Sequence, residues 1–178
     1  MKLIIIGLGN PGPEYENTYH NVGHIFVEYL SDPKKRFKKE RFFLYQDSEK
    51  YTLVKTAVYM NESGSAIKAA LRRFALAPNT TLILVHDDSD IIIGNYKLST
   101  ESGAAGHKGV ESVMRALRHS NFKRLRIGIR PAIKKVIAAK KPRLQAGDFV
   151  LRNISYSDLE TLHWVFAELK RTVIEKVA

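Results

Sequence analysis

Residues 2–12 read KLIIIGLGNPG, and the way the apolar run ends decides the architecture. Leu3 to Ile6 are consecutive apolar residues, mostly β-branched, bounded by glycine and proline. Such a run predicts a strand over 2–8 buried on both faces, as at the centre of a parallel sheet. Gly7, Gly9 and Gly12 then satisfy G-x-G-x-x-G, the spacing of a dinucleotide-binding loop. That reading needs free backbone N–H groups and a helix opening inside the glycines. Pro11 and Pro13 remove two of those donors, and each keeps the residue before it out of helical conformation. An acid, Asp32, does follow at the expected remove, but it comes after FVEYL, which continues a helical pattern from His20. The loop is therefore a turn that carries Asn10 at the C-terminal end of a central strand, where open α/β sheets bind ligands. Taken alone, Asn10 is equally a plain turn-former.

Outward from this strand the chain alternates two periodicities. His20 to Leu30 place Val22, Phe26, Tyr29 and Leu30 at helical spacing, Tyr51 to Val58 alternate as a strand, and Ser65 to Leu76 predict a helix ended near Pro78. Thr80 to Val85 predict a second buried strand, closed by the acidic turn HDDSD at 86–90. Tyr96 to Leu98 read as a short strand, SGAAGHKG at 102–109 as a loop feeding a helix through about Arg118, and Leu125 to Ile129 as another strand. The Lys-rich segment 131–147 reads as a mobile surface loop. Ser157-Asp-Leu-Glu160 forms a capping box that opens a C-terminal amphipathic helix over about 156–177, with Leu159, Leu162, Phe166, Leu169 and Val173 on one side. No repeat or linker interrupts the order. The expectation is one α/β domain over 1–178, with a central mixed twisted sheet flanked by helices.

Composition narrows the function. Cysteine is absent, which excludes disulfides, thiol nucleophiles and cysteine-ligated zinc, and fits a reducing compartment. Leu3 to Ile6 are too short for a signal-peptide core and no other segment approaches a bilayer span, so a cytoplasmic protein is expected. The net charge is +11, which favours a polyanionic partner. Phe122 to Arg143 hold nine lysines and arginines with no acid, and Lys34, Lys35, Arg36, Lys38 and Lys39 form a second cluster. Neither run has the apolar face of a membrane-surface helix, so the expected partner is nucleic acid.

For chemistry, the sequence has no G-x-S-x-G elbow, no HExxH and no GK[ST] phosphate loop. His20 and His24 stand four apart on the expected helix, a metal-ligand spacing without an obvious third ligand. His86-Asp87-Asp88 directly follows a buried strand. Acids there suit a divalent metal, the capping of a loop, or the orientation of a histidine from a neighbouring strand end. In the last case the carboxylate fixes the imidazole tautomer and raises its basicity, which suits a general base acting on water.

GLGNPGPEYENTYHNVG (7–23), YMNESGSAI (59–67), ILVHDDSDIIIG (83–94), SGAAGHKG (102–109) and FKRLRIGIRP (122–131) occur in this order, and DFVLRNIS with the final helix closes the chain. In these motifs and their spacing, from Lys2 to about Pro131, the sequence resembles the bacterial-type peptidyl-tRNA hydrolases. The resemblance implies a monomeric, phosphorylase/hydrolase-like α/β enzyme that cleaves the ester between a peptide and tRNA, with no metal and no cofactor. It implies that His20 is the general base, that Asp87 orients it, and that Asn10 contacts the peptide end. Tyr15, Tyr59 and Asn61 would line the pocket, with the Asn61 amide on the developing oxyanion. Lys97, Lys108, Lys123, Arg124, Arg130 and Lys134 are the expected tRNA-facing cations.

The sequence also departs from that family's pattern. Lys108 stands where the family has Asn after the loop histidine, Tyr19 where it usually has Arg, and the glycines of the 102–109 loop are thinned. Lys108 pointing inward would depress the pKa of His20, and pointing outward would meet phosphate. Two alternatives follow: a non-catalytic RNA-binding relative, as in chloroplast splicing factors of this fold, and a nucleoside-phosphorylase-like enzyme. Joint retention of His20, Asp87, Asn10 and Asn61 argues against the first, and the lack of a phosphate site against the second.

Overall fold

A computed structural model describes residues 2–74, 80–100, 103–120, 122–131, 147 and 149–177. Strands β1 (Lys2–Gly7), β2 (Lys38–Lys39), β3 (Phe43–Asp47), β4 (Tyr51–Thr56), β5 (Thr80–Ile92), β6 (Tyr96–Ser99) and β7 (Lys123–Arg130) form one sheet in the order β2-β3-β4-β1-β5-β7-β6. The central four, β4, β1, β5 and β7, run parallel, and antiparallel partners finish both edges. Helices α1 (Val22–Leu30), α2 (Ser63–Phe74), α3 (Lys108–Leu117) and α4 (Tyr156–Leu169) cover the two faces.

The run that opens the chain behaves as its composition dictates. Leu3 and Ile5 join the core beneath α1 and α4, while Ile4 and Ile6 join the core beneath α2 and α3. All four are essentially excluded from water, each stabilising the fold by about 1.5–3 kcal/mol. Among the described residues no helix is long and apolar enough to cross a membrane.

Three expectations are corrected. The acidic stretch 86–90 is not a turn: β5 runs through it to Ile92, because β7 lies alongside as far as Asp88↔Gly128 before the register shifts. Strands β2 and β3 have no counterpart in the sequence reading. The cap of α4 is Ser155, whose Oγ accepts the Asp158 N–H at 3.2 Å, and Ser157 lies inside the helix. The last apolar face runs as expected through Leu162, Phe166 and Leu169, but the helix loosens into a π-helical turn over Lys170–Ile174. Pro78, Lys134 and most of the 131–147 segment lie outside the described residues.

Candidate active site

At the C-terminal ends of the parallel strands a cleft of about 480 Å³ opens between the loops that follow β1, β4 and β6 and the segment around Val150. The glycine loop shapes one wall by close packing. A Cβ on Gly7 would come 2.2 Å from the Gly23 carbonyl oxygen, and one on Gly9 2.6 Å from the His24 ring. Gly12 alone needs a left-handed backbone, with φ of 110°. No helix starts in this loop; α1 begins at Val22. The glycines therefore bring α1 against the sheet and leave no cradle for a pyrophosphate.

His20 sits in a single 3₁₀ turn, Tyr19–Asn21, just before α1. Its Nδ1 lies 2.9 Å from Asp87 Oδ1, and Nε2 of His107 lies 2.8 Å from the same oxygen. Proton positions follow from the partners. His107 is the N-cap of α3, and its Nδ1 accepts the N–H groups of Gly109 at 3.1 Å and Val110 at 3.3 Å. The His107 proton is therefore on Nε2 and points at Asp87. Asp87 is buried and its carboxylate accepts, so His20 donates through Nδ1 and keeps the lone pair of Nε2. Burial pulls the His20 pKa down, but the charge of Asp87 and its hydrogen bond prevail and hold it above 6.5. Burial alone would raise Asp87; the two imidazoles instead hold it well below the usual carboxylate range.

The ligating atoms of His20, Asp87 and His107 lie within 4.8 Å of one another. Metal at Nε2 of His107 would drive that proton onto Nδ1, against the two backbone N–H groups it accepts. The cluster suits a proton and not a cation. His24 is turned elsewhere: its Nε2 pairs with Thr56 Oγ1 at 3.0 Å, and burial, then the nearby Lys55 charge, lower its pKa to about 3. His86 is also buried and lowered to about 3, by burial first and then by His107. Its Nδ1–H donates to the Asp87 carbonyl at 2.7 Å, and its ring meets His107 edge-on at 4.7 Å.

Asn10 is held on three sides. Its N–H and C=O pair with the Asn21 amide at 2.8 and 2.9 Å, and its Oδ1 accepts the Met60 N–H at 2.8 Å. Its side-chain carbonyl oxygen is thereby turned to the backbone of Met60, which leaves the NH2 group as the donor of this side chain toward the cleft.

Against this geometry, the family model described as peptidyl-tRNA hydrolase matches residues 4–178. The chain belongs to the peptidyl-tRNA hydrolase family. A peptidyl-tRNA hydrolase of Bordetella petrii is 43% identical over 133 residues, covering 71% of this chain and 63% of that relative. One of a Hydrogenobaculum species is 35% identical over 161 residues, covering 86% of this chain and 79% of the relative. The crystal structure of peptidyl-tRNA hydrolase from Acinetobacter baumannii has a TM-score of 0.78 at 28% identity, covering 99% of this chain and 86% of that one.

Of the residues singled out through the peptidyl-tRNA hydrolase resemblance, His20, Asp87, Asn10, Tyr59, Asn61, Lys108 and Arg124 line this one cleft. Tyr15 is not part of the lining; it stands edge-on to Tyr59 with ring centroids 6.3 Å apart. Lys108 is the exposed first residue of α3 and is not among the charges that shift His20. Arg124, expected on the exposed basic surface, is buried and donates to the Gly103 carbonyl at 3.0 Å, supporting the loop that leads to His107. Among the titratable lining residues, sequence reasoning gave no role to Arg126 or His107, and noted His86 only as part of His86-Asp87-Asp88. Arg126 is tied to Asp88 at 2.6 Å. His107 shares the Asp87 carboxylate with His20, and His86 packs behind it against the His107 ring. The available signal for His107 was its place immediately before a helix, where a side-chain acceptor is expected.

Proposed function

We propose that the chain is a peptidyl-tRNA hydrolase that acts on the ester between a peptide, or an N-blocked amino acid, and the tRNA 3′ end, as a monomer in the cytoplasm. The observation that carries this reading is the one-way placement of protons around Asp87, which leaves His20 Nε2 as the basic atom in the cleft of a family member. Neutral His20 takes a proton from water through Nε2, and the oxygen of that water attacks the ester carbonyl. Asp87 stabilises the imidazolium as it forms. The negative charge moves to the former carbonyl oxygen, where the Asn10 NH2 group and the Asn61 amide supply donors. Collapse breaks the bond to the ribose oxygen, which takes the proton held on Nε2. An acyl ester is reactive enough for this sequence to need no metal. Lys108, with Lys97, Lys123 and Arg130, would meet phosphates and position the RNA without reading its sequence.

The test is release of N-acetyl-amino acid from N-acetyl-aminoacyl-tRNA in EDTA, with free aminoacyl-tRNA as the comparison. The blocked substrate is cleaved and the free one spared, and His20→Ala removes turnover by about 10²–10⁴-fold with tRNA affinity nearly unchanged. RNA binding without release would identify a binding relative. Loss of turnover on chelation would return the question of a metal.

A further inference from the structure

The turn that presents His20 is tied down by three consecutive side chains. His20 reaches Asp87, Asn21 pairs with the backbone of Asn10, and Tyr19 reaches the opposite way, to α4. The buried Tyr19 hydroxyl donates to Asp158 Oδ2 at 2.5 Å. The Ser155 N–H in turn donates to the Tyr19 hydroxyl oxygen at 3.5 Å. Ser155 caps α4 and Asp158 lies in its first turn. In an ordinary capping box the first-turn acid would take the cap residue's N–H itself; here a tyrosine hydroxyl from a distant turn stands between them.

The backbone reinforces this link. The Tyr19 N–H donates to Arg152 C=O at 3.3 Å, the His20 N–H to Val150 C=O at 2.8 Å, and the Ile154 N–H to Asn17 C=O at 2.8 Å. The Tyr19 ring packs edge-on to Phe149 at 6.0 Å. The same segment supplies Val150 and Leu151 to the cleft. One wall of the cleft and the turn bearing His20 are therefore a single bonded unit, with the Tyr19 hydroxyl at its far end.

We propose that Tyr19 is a positioning residue for the reaction: its hydroxyl, anchored on Asp158, sets where the His20 ring stands relative to Asp87 and to substrate held against Val150 and Leu151. This rests on reading His20 as the general base. Such a role follows from the sensitivity of proton transfer to small displacements of the base. A residue that merely stabilised the fold would not show it. The chemistry required at position 19 is a donor able to reach the Asp158 carboxylate, and an arginine meets that requirement as well as a phenol.

The experiment compares the full chain with Tyr19→Phe, Asp158→Leu, the double variant and Tyr19→Arg, well below the lowest thermal midpoint. Two readouts are taken: kcat and KM on N-acetyl-aminoacyl-tRNA, and the NMR resonances of the His20 imidazole. Tyr19→Phe and Asp158→Leu are each expected to lower kcat on the order of tenfold with KM nearly unchanged, and the double variant no further. Both should shift the His20 resonances, and Tyr19→Arg should restore kcat and resonances toward those of the parent. Unchanged kcat and His20 resonances in Tyr19→Phe, with only the midpoint lowered, overturn the proposal; so does a Tyr19→Arg variant as impaired as Tyr19→Phe. If the parent chain released no product, the proposed function would fail, while the His20 resonances would still decide whether Tyr19 positions the ring.

Discussion

Asp87→Asn separates the charge of the carboxylate from its shape. In the native site burial favours a neutral His20, and it is the charge and hydrogen bond of Asp87 that hold the ring above 6.5. Asparagine keeps an acceptor oxygen where the His20 and His107 protons point, 2.9 and 2.8 Å away in the native site, and removes only the charge. Burial is then opposed by a neutral hydrogen bond alone, and the pKa of His20 falls below 6.5. The imidazolium that forms in the transition state also loses a hydrogen bond to a charged acceptor, roughly 1.5–3 kcal/mol. At about 1.36 kcal/mol per tenfold, the plateau rate falls about 10- to 150-fold. The assay is kcat/KM for N-acetyl-aminoacyl-tRNA across neutral pH, whose acid limb reports the base of the free enzyme. The native limb has its midpoint above 6.5; in Asp87→Asn the plateau is lower and the midpoint lies below 6.5. A limb that stays in place or moves up, whatever the plateau does, would refute the assignment of Asp87 as the group that raises the basicity of His20.

Two further outcomes are expected. Lys108→Asn removes one cation from the cleft rim, so the slope of log kcat/KM against log salt should lessen by about 0.7–0.9; an unchanged slope would mean that Lys108 meets no phosphate. His24 is held at about 3 in the fold and near 6.5 once unfolded, so its stabilisation is complete above 6.5 and is lost as pH falls from there towards 3, about 2 kcal/mol being gone at pH 5. His24→Gln keeps a donor for Thr56 without the titration, so the loss of unfolding free energy between pH 8 and 5, read by urea melts, should shrink by about 2 kcal/mol, and an identical loss in the variant would show that His24 is not neutral in the fold.

The parts of the fold that were legible in the sequence are those whose signal is local. β1 was readable because burial on both faces demands an unbroken apolar run, and α2 and α3 because one apolar stripe recurs at helical spacing. β3 was not, since Phe43-Leu44-Tyr45-Gln46-Asp47 lacks clean alternation and owes its extension to pairing with β4. HDDSD looked like a turn because nothing nearby shows that Arg126, far along the chain, neutralises Asp88 within the sheet. The capping box expected at Ser157 gave way to Ser155, whose Oγ takes the Asp158 N–H in a fold where Tyr19 takes the Asp158 carboxylate. That His20, Asp87 and Asn10 belong together was expected from motif resemblance, and they line one cleft. The role of His107 was hidden, because a helix-capping imidazole is visible in sequence but the direction of its second nitrogen is not.

The proton order around Asp87 is set without the side chain at position 108. The ordering starts at two backbone N–H groups, those of Gly109 and Val110, passes through Nδ1 and Nε2–H of His107 to Asp87 Oδ1, and meets the Nδ1–H of His20 there. Turning over His107 would set N–H against the N–H groups of Gly109 and Val110, and turning over His20 would set a lone pair against the carboxylate. The first turn of α3 therefore fixes the His107 proton, and Asp87 fixes that of His20. That turn acts through its backbone, and any side chain at 108 that permits a helix start leaves it intact. Gly109 is the more constrained neighbour: a Cβ there would lie 2.4 Å from Met60 Sδ, and the Met60 N–H is what orients the Asn10 amide. The His107 tautomer and the Asn10 amide are thus both governed from the start of one helix, by its backbone and its tightest packing contact.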